Sequence, residues 1–145
     1  MIVKVITEGD KKLKIMEVCD DAYTISVIGR PNFQEIFEKI DHHAVFLGAY
    51  TEDSEIAGYA AFYANDRVER RAFISLLCVR KEMQRMHLGT ALMQEMLNRA
   101  KDAGMRSIAL DVLQSDEGQI RFYGSCGFEI SGEGPTGFWR MERLL

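Results

Sequence analysis

The spacing of apolar residues along the chain predicts three amphipathic helices. The clearest covers Leu88–Ala103, where apolar residues recur at helical spacing and Gly104 follows as a stop signal. A second runs from about Asp116 to Ser125. A shorter helix begins after Asn32, which stands three residues before Glu35 in the spacing of an N-terminal capping pair. The apolar stripe of this helix comprises Phe33, Ile36, Phe37 and Ile40.

Apolar runs between these helices predict strands. They lie at Met1–Thr7, Ala44–Tyr50, Glu55–Asn65, Ala72–Val79, Met105–Leu113, Phe128–Ser131 and Phe138–Leu145. The run Ala72–Val79 is almost wholly apolar, which predicts a strand covered on both faces. Residues Lys11–Ile28 fit either a helix or a strand at Leu13–Val18, and the pattern does not decide between them.

The order of these elements predicts an α+β domain. The span Ala72–Leu113 has the length of a strand–helix–strand unit, whose two strands would be parallel with a right-handed crossover. The other connections are short, which favours antiparallel neighbours. We therefore expect a single domain over residues 1–145. It would have a mixed, mostly antiparallel central sheet with one parallel pair and helices on both faces, a three-layer α/β/α arrangement.

Composition narrows the class of protein. Of the 145 residues, 47% are hydrophobic and 28% are charged, which is typical of a folded domain. The net charge of −4 and the scattered basic residues argue against a nucleic-acid partner. No apolar run approaches the roughly 20 residues of a membrane span. The first residues lack the charge order of a secretory signal. We expect a cytoplasmic protein with no membrane partner.

The cysteines and histidines do not have metal-ligand spacing. The three cysteines form no C-x-x-C pair, so buried, reduced thiols are expected. His42 and His43 are adjacent rather than four residues apart, and His87 stands alone. We expect no metal cofactor. The cysteines are Cys19, Cys78 and Cys126.

A polar loop joins the strand that ends at Val79 to the long helix. The first turn of a helix presents unpaired N–H groups at its electropositive end. A helix start after a parallel strand is therefore a common anion site. The alternative is a well-capped helix that follows a solvated, basic loop. The side-chain donors around this helix start are Gln84, Arg85, His87 and Thr90.

Two sequence blocks carry a resemblance to a known family. Residues Gln84–Gly89 (QRMHLG) resemble the Q/R-x-x-G-x-G/A signature of the GNAT acyl-CoA N-acyltransferases, with His87 in place of the first glycine. Residues Leu110–Phe128 resemble the family's L-x-V…N-x-x-A-I-x-x-Y-x-x-x-G-F block, with Asp116 for asparagine and Gln119 for alanine. The matching positions of the second block are Ile120, Tyr123, Gly127 and Phe128.

The resemblance implies acetyl-CoA as cosubstrate. In this family the loop and the first helical turn hold the pyrophosphate through main-chain N–H groups. The pantetheine arm would then lie where the two parallel strands splay apart, near Cys78 and Asp111. The cofactor-binding residues implied in this way are Leu77, Cys78, Val79, Gln84, Arg85, Met86, His87, Leu88, Gly89, Thr90, Asp116 and Tyr123.

The resemblance also implies the chemistry of acyl transfer. Tyr123 matches the family's general acid, which protonates the departing thiolate; without the resemblance, a half-buried packing role is the simpler interpretation. The base stays open, because the run Ala72–Val79 contains no acidic residue. Deprotonation through ordered water needs no dedicated base. The side-chain candidates are Glu69, Asp111, His42 and His43, with a solvated surface role as the alternative for Glu69.

The sequence leaves several classes of acceptor substrate open. A small primary amine is the leading expectation, with the N-terminal or lysine amine of a protein as the alternative. An acyl-CoA-binding module without turnover and a generic nucleotide-binding domain are the other classes. We expect the acceptor to contact Tyr23–His43 and Gly132–Gly137. Pairing of the last strands with a second copy would give a homodimer.

Overall fold

The computed structural model describes residues 1–84 and 86–145. Over these residues the chain forms four α-helices and seven strands. The helices are α1 (Gly9–Cys19), α2 (Phe33–His43), α3 (Leu88–Asp102) and α4 (Glu117–Ser125). The strands are β1 (Ile2–Val5), β2 (Val45–Tyr50), β3 (Ile56–Tyr63), β4 (Arg71–Val79), β5 (Ser107–Leu113), β6 (Glu129–Glu133) and β7 (Phe138–Leu144). Single 3₁₀ turns follow α1 at Asp20–Ala22 and β4 at Lys81–Met83.

The strands of the described residues form one mixed sheet in the order β1-β2-β3-β4-β5-β7-β6. Strands β4 and β5 are parallel, and α3 connects them. The other neighbouring strands are antiparallel. The predicted strand–helix–strand unit and the mostly antiparallel sheet are therefore confirmed.

Helices cover both faces of the sheet, which confirms the three-layer arrangement. One hydrophobic cluster joins α1 and α2 to the sheet and includes Ile15, Ile40 and Phe46. The other cluster joins α3 and α4 to the opposite face and includes Met96 and Tyr123. None of the helices in the described part of the chain is long and apolar enough to cross a membrane.

The segment Lys11–Ile28, which fitted either a helix or a strand, is α-helical as far as Cys19, forms a 3₁₀ turn at Asp20–Ala22 and is not helical after that. Its buried side chains recur every three or four residues along α1, which is the helical period. The buried Lys12 Nζ donates to the main-chain oxygen of Asp41 at 3.1 Å and to its carboxylate Oδ1 at 2.8 Å. This ion pair fixes α1 against α2. The buried residues of α1 are Lys12, Ile15, Met16 and Cys19.

The two helices for which the sequence suggested an N-terminal capping residue differ in whether that side chain caps the helix. Helix α2 begins after Asn32 as predicted, but the Asn32 side chain makes no capping hydrogen bond with the described residues. The capping pair with Glu35 is therefore wrong, and the main-chain oxygen of Asn32 accepts from the N–H of Ile36 at 3.1 Å instead. At α4, Asp116 does cap the helix, since its Oδ1 accepts from the N–H of Gln119 at 3.0 Å.

Strands β4 and β5 separate part of the way along their length. Residues Arg71–Phe73 pair with Ser107–Ala109, and the described register between the two strands ends there. The remaining halves of the two strands diverge toward the start of α3. This gap is the splay that the family resemblance implied, and it leaves main-chain groups of β4 free to pair with a ligand.

Ser75 is the extra residue of a β-bulge in β4. The register with β3 passes from Ile74 directly to Leu76, so Ser75 has no partner on β3 among the described residues. Its side chain is exposed, whereas Ile74 and Cys78 are buried. The expectation that β4 is covered on both faces is therefore wrong. Helices α1 and α2 pack mainly on β2 and β3, so this part of β4 stays open on their side.

Candidate active site

A cleft of about 450 Å³ opens at the end of β4, between the starts of α3 and α4. We call it the α3–α4 cleft. Apolar side chains of β4 and α4 form its inner wall, and the first turn of α3 forms its outer wall. Its lining residues are Leu77, Val79, Gln84, His87, Leu88, Gly89, Thr90, Gly118, Gln119, Phe122 and Tyr123.

His87 occupies the left-handed region of backbone conformation at the start of α3. Its φ is 59° and its ψ is 23°, and its side chain is exposed. Non-glycine residues rarely adopt this conformation, because Cβ then crowds the neighbouring carbonyl oxygen. The structure thus shows why the family signature has glycine here. His87 keeps the backbone conformation that glycine adopts easily, and it lines the cleft together with Leu88, Gly89 and Thr90 of the following turn.

Gly89 lets α3 and α4 approach closely at the cleft. A Cβ built on Gly89 would lie 3.3 Å from Cζ of Phe122 and 4.0 Å from Cγ2 of Val79. A side chain at this position would therefore take up space inside the cleft. A larger residue here would have to displace the Phe122 ring.

Gln84 holds the loop onto the end of β4. Its side-chain Nε2 donates to the main-chain oxygen of Val79 at 3.1 Å. This hydrogen bond ties the loop at Gln84 back to the end of β4. The neighbouring Arg85, a predicted cofactor contact, lies outside the described residues.

Three of the predicted cofactor contacts do not line the cleft. The Cys78 side chain faces the opposite side of the sheet, where its thiol lies among the buried residues under α1. Met86 is exposed and lies in a separate surface depression with Met1 and Thr51. Asp116 is occupied in capping α4. The other described contacts do line it.

Tyr123 forms part of the inner end of the α3–α4 cleft. Its side chain is only 8% exposed, and its ring packs edge-on against Phe122 and Phe128, with centroids 5.4 Å and 6.1 Å away. Burial raises the pKa of Tyr123 to about 12. The phenol therefore stays protonated at neutral pH and is available as a proton donor.

A second cleft, of about 640 Å³, lies on the other face of β4. We call it the α2–β4 cleft, because α2 and β4 provide its two main walls. It reaches Phe73, the last β4 residue paired with β5, and Ser75, the bulge residue. The two clefts therefore lie on opposite faces of β4, and the second one reaches β4 where the splay begins. The lining residues are Ile36, Lys39, His43, Tyr63, Asn65, Asp66, Arg71, Phe73 and Ser75.

The four candidate bases lie in different places. Glu69 is exposed in the turn before β4, where its N–H donates to Asp66, and it lines neither cleft. The carboxylate of Asp111 is held by Arg140, with Nε at 2.5 Å from Oδ1 and Nη2 at 3.2 Å from Oδ2. Of the adjacent histidines, His43 lines the α2–β4 cleft. The fourth candidate, His42, is exposed and does not.

Sequence reasoning missed several residues of the two clefts. Gly118, Gln119 and Phe122 line the first cleft because α4 turns its first two turns toward α3. A usable signal for two of them was their spacing, since Gly118 and Phe122 are four residues apart on a predicted helix. Ser75 had a weaker signal, as the one hydroxyl in an otherwise apolar strand. Within residues 1–84 and 86–145, no three His, Cys, Asp or Glu side chains group as a metal site would require.

Comparison with known proteins places the fold and the family. The profile of the Acetyltransferase (GNAT) family matches residues 14–128. The Drosophila melanogaster protein named "Probable N-acetyltransferase san" is 32% identical over 95 residues, which are 65% of this chain and 52% of that protein. The chain thus spans about half the length of this curated relative.

Solved structures share the whole fold. The PaiA N-acetyltransferase from Thermoplasma acidophilum in complex with coenzyme A has a TM-score of 0.78 at 18% identity, over 100% of both chains. The ribosomal-protein-S18-alanine N-acetyltransferase from Escherichia coli has a TM-score of 0.76 at 15% identity, over 99% of this chain and 94% of that chain. The family profile covers most of the sequence and both clefts' main elements, and the chain belongs to the acetyltransferase (GNAT) family.

Proposed function

We infer that this protein is an acetyl-CoA-dependent N-acetyltransferase that transfers the acetyl group to a primary amine by direct attack in a ternary complex. The observation that supports this most strongly is the course of the α3–α4 cleft. It runs from the N-terminus of a 15-residue helix to the β4–β5 splay and to a buried, protonated tyrosine. Along its length, this one cleft thus offers first an anion site, then a strand edge and finally a proton donor.

The residues of the α3–α4 cleft fit the cosubstrate. The N–H groups after His87 would hold the pyrophosphate, and the absence of a side chain at Gly89 leaves room for it. Leu77 and Val79 offer apolar contact and free main-chain groups to the pantetheine arm. Acetyl-CoA supplies an activated acyl thioester whose leaving group is a thiolate.

The amine would approach from the α2–β4 cleft. The exposed hydroxyl of Ser75 lies at the splay, where it can accept a hydrogen bond from the amine N–H and orient the nitrogen lone pair. Phe73 provides an apolar floor, over which the Arg140 guanidinium lies at 5.2 Å. His43, in the same cleft, or a water that it binds, would take the proton that the amine must lose before attack.

Tyr123 would return a proton on the other side of β4. A thiol has a pKa near 8.5 and a lysine-like amine one near 10.4, so the tetrahedral adduct expels sulfur once nitrogen has lost its proton. Protonation of the departing thiolate by Tyr123 completes the exchange. Because burial raises the pKa of Tyr123 to about 12, well above that of a thiol, transfer of its proton to the thiolate is uphill, and the phenolate must then regain a proton from solvent.

The test is release of free thiol from acetyl-CoA in the presence of amines of different classes. We expect release with at least one class and tight binding of CoA without any amine. Release with peptides alone would identify the acceptor as a protein amine. Binding without release across small amines, polyamines, amino acids and peptides would contradict the proposed activity and support a binding module. Protection against thermal unfolding by ATP or NAD but not by CoA would contradict both.

A further inference from the structure

Two cysteines, Cys19 and Cys78, lie in contact in the hydrophobic cluster between α1 and β4. Cys19 is the last residue of α1, and Cys78 lies on β4, 59 residues later in the chain. The Cys78 Sγ donates a hydrogen bond to the main-chain oxygen of Cys19 at 3.3 Å. Both cysteines are free, with 0% and 4% of their surface exposed. Helix packing thus brings together two thiols that the sequence keeps far apart.

The two thiols are not equivalent. A hydrogen bond between them is the largest influence on the pKa of each: it lowers the pKa of Cys19 and raises that of Cys78. The positive charge of Arg80 lowers the pKa of Cys19 further. Cys19 is therefore the thiol that more readily becomes a thiolate, while Cys78 keeps its proton. Thiol oxidation proceeds through this kind of asymmetric pair.

Acyl transfer as proposed above uses neither thiol. Cys78 is flanked by Leu77 and Val79, which line the α3–α4 cleft, but its own side chain lies in the cluster on the α1 side. Cys19 ends the helix that packs there, and the chain then continues through the 3₁₀ turn Asp20–Ala22. Cys19 is fully buried, and the carboxylate of the next residue, Asp20, accepts hydrogen bonds from Ser26, Val27 and Ile28, so peroxide reaches Cys19 only when this junction opens locally.

We propose that Cys19 and Cys78 form an oxidisable dithiol, which hydrogen peroxide converts to an intramolecular disulfide. The Cys19 thiolate attacks one oxygen of hydrogen peroxide, the O–O bond breaks, and the other oxygen departs as hydroxide. Cys19 is then a sulfenic acid. The Cys78 sulfur then attacks the Cys19 sulfur, the S–O bond breaks, and the Cys78 proton leaves with the oxygen as water. Two thiols are oxidised and one peroxide is reduced to two waters.

The disulfide would tie the end of α1 to β4. It would close a loop of nearly sixty residues, which restricts the unfolded chain. We expect the midpoint of thermal unfolding to rise by roughly 5–10 °C after oxidation. Reduction with dithiothreitol should reverse the change.

The test uses the full chain and needs no acceptor amine, so its outcome is independent of the proposed activity. A Cys126→Ser variant is treated with millimolar peroxide, alkylated and digested. We expect loss of two hydrogen atoms from the intact mass and one cross-linked peptide joining Cys19 to Cys78. A Cys19→Ala variant in the same background should show neither the cross-link nor the thermal shift.

Oxidation of the unmutated protein shows which result would contradict the proposed disulfide. Cys126 is more exposed than the other two cysteines and serves as an internal measure of peroxide exposure. Peptide maps in which Cys126 is fully oxidised while Cys19 and Cys78 stay reduced, or are each oxidised without a cross-link, would overturn the proposal. This result does not depend on whether any variant folds.

Discussion

Phe122 of α4 lies against Gly89 in the first turn of α3, so close that a Cβ on Gly89 would come within 3.3 Å of the Phe122 ring. Both residues line the α3–α4 cleft. The contact sets how near the two helix starts can come, and therefore how wide the cleft is. A signature glycine and an aromatic residue more than thirty positions later thus determine one dimension of the site together.

Replacing Gly89 with alanine should weaken CoA binding about tenfold, which corresponds to about 1.4 kcal/mol, because the new methyl group presses on Phe122 and narrows the cleft. The free energy of unfolding should change by less than about 1 kcal/mol, since the higher helix propensity of alanine offsets the crowding. Titration calorimetry with CoA measures the first effect, and urea unfolding the second.

Gly124→Ala is the matched control, because a Cβ on Gly124 meets nothing within 4 Å and this residue lies outside the cleft. It should raise the free energy of unfolding by about 1 kcal/mol and leave CoA affinity unchanged. Equal CoA affinity in Gly89→Ala and the unmutated protein would show that this contact does not limit the cleft.

Replacing His87 with glycine should stabilise the protein by up to about 1 kcal/mol, because glycine adopts φ of 59° without a Cβ clash. CoA affinity should be retained, since the backbone N–H groups keep their positions. Ser54, with φ of 66°, lies in the turn between β2 and β3, away from the cleft. Ser54→Gly should give a similar gain with no effect on CoA. A destabilised His87→Gly protein would mean that the imidazole contributes more than the strained backbone costs.

Replacing Tyr123 with phenylalanine should lower turnover by more than about tenfold while CoA affinity stays nearly the same, because only the proton donor is removed. The steady-state rate with the best amine of the panel and the CoA titration together separate these effects. Tyr50→Phe, on β2 and far from the cleft, is the control and should keep full turnover. Unchanged turnover in Tyr123→Phe would remove this residue from the proposed reaction.

The buried tyrosines should make the protein sensitive to high pH. Burial raises the pKa of Tyr123 to about 12, above its ordinary value of 10.0. Below pH 10 the phenol is protonated in the folded and the unfolded chain and adds no pH dependence. Between pH 10 and 12 the unfolded chain loses the proton and the folded chain keeps it, so stability falls by about 1.4 kcal/mol per pH unit from this group alone.

Urea unfolding at a series of alkaline pH values measures this effect. Burial also raises the pKa of Tyr59 and of Tyr23, whose hydroxyls are hydrogen-bonded at 2.9 Å, and these add to the fall. Comparison of Tyr123→Phe with the unmutated protein isolates the share of Tyr123. Parallel pH profiles of the two proteins would contradict the raised pKa.

Asp111→Asn should destabilise the protein by about 1–3 kcal/mol, because it leaves the partly buried Arg140 guanidinium without its charged partner. Turnover of the folded variant should stay close to that of the unmutated protein, since both carboxylate oxygens are already bound by Arg140. The double variant Asp111→Asn/Arg140→Gln should recover part of the stability. Urea unfolding of the unmutated protein, the two single variants and the double variant gives the coupling free energy between the two side chains. Lost turnover in folded Asp111→Asn would instead identify a base.

The parts of the site that the sequence predicted are those built from neighbours in the chain. The loop Gln84–Gly89 and the start of α3 come from a short stretch of residues, which allowed either an anion site or a capped helix after a solvated loop until the family resemblance favoured the first. Tyr123 followed from its register within a matching block. In both cases the function was implied by the resemblance to the family, and local spacing only placed the residues on predicted elements.

The parts that the sequence did not predict depend on register between distant segments. The exposure of Ser75 depends on a bulge against β3, and the position of Asp111 depends on its pairing with Arg140 on β7. Glu69, expected near the chemistry from its place before β4, lies at the opposite end of that strand from the α3–α4 cleft. Within Lys11–Ile28, the part up to Cys19 is a helix because its buried side chains pack on the sheet, which a short mixed pattern cannot reveal.

The position of the two clefts on opposite faces of β4 has a kinetic consequence for the proposed reaction. Each substrate has its own way in and each product its own way out, so spent CoA can leave while the acetylated amine is still bound. Initial-rate studies should accordingly show no compulsory order of addition. An acceptor as large as a polypeptide could also occupy its side of the sheet without blocking the replacement of CoA by acetyl-CoA.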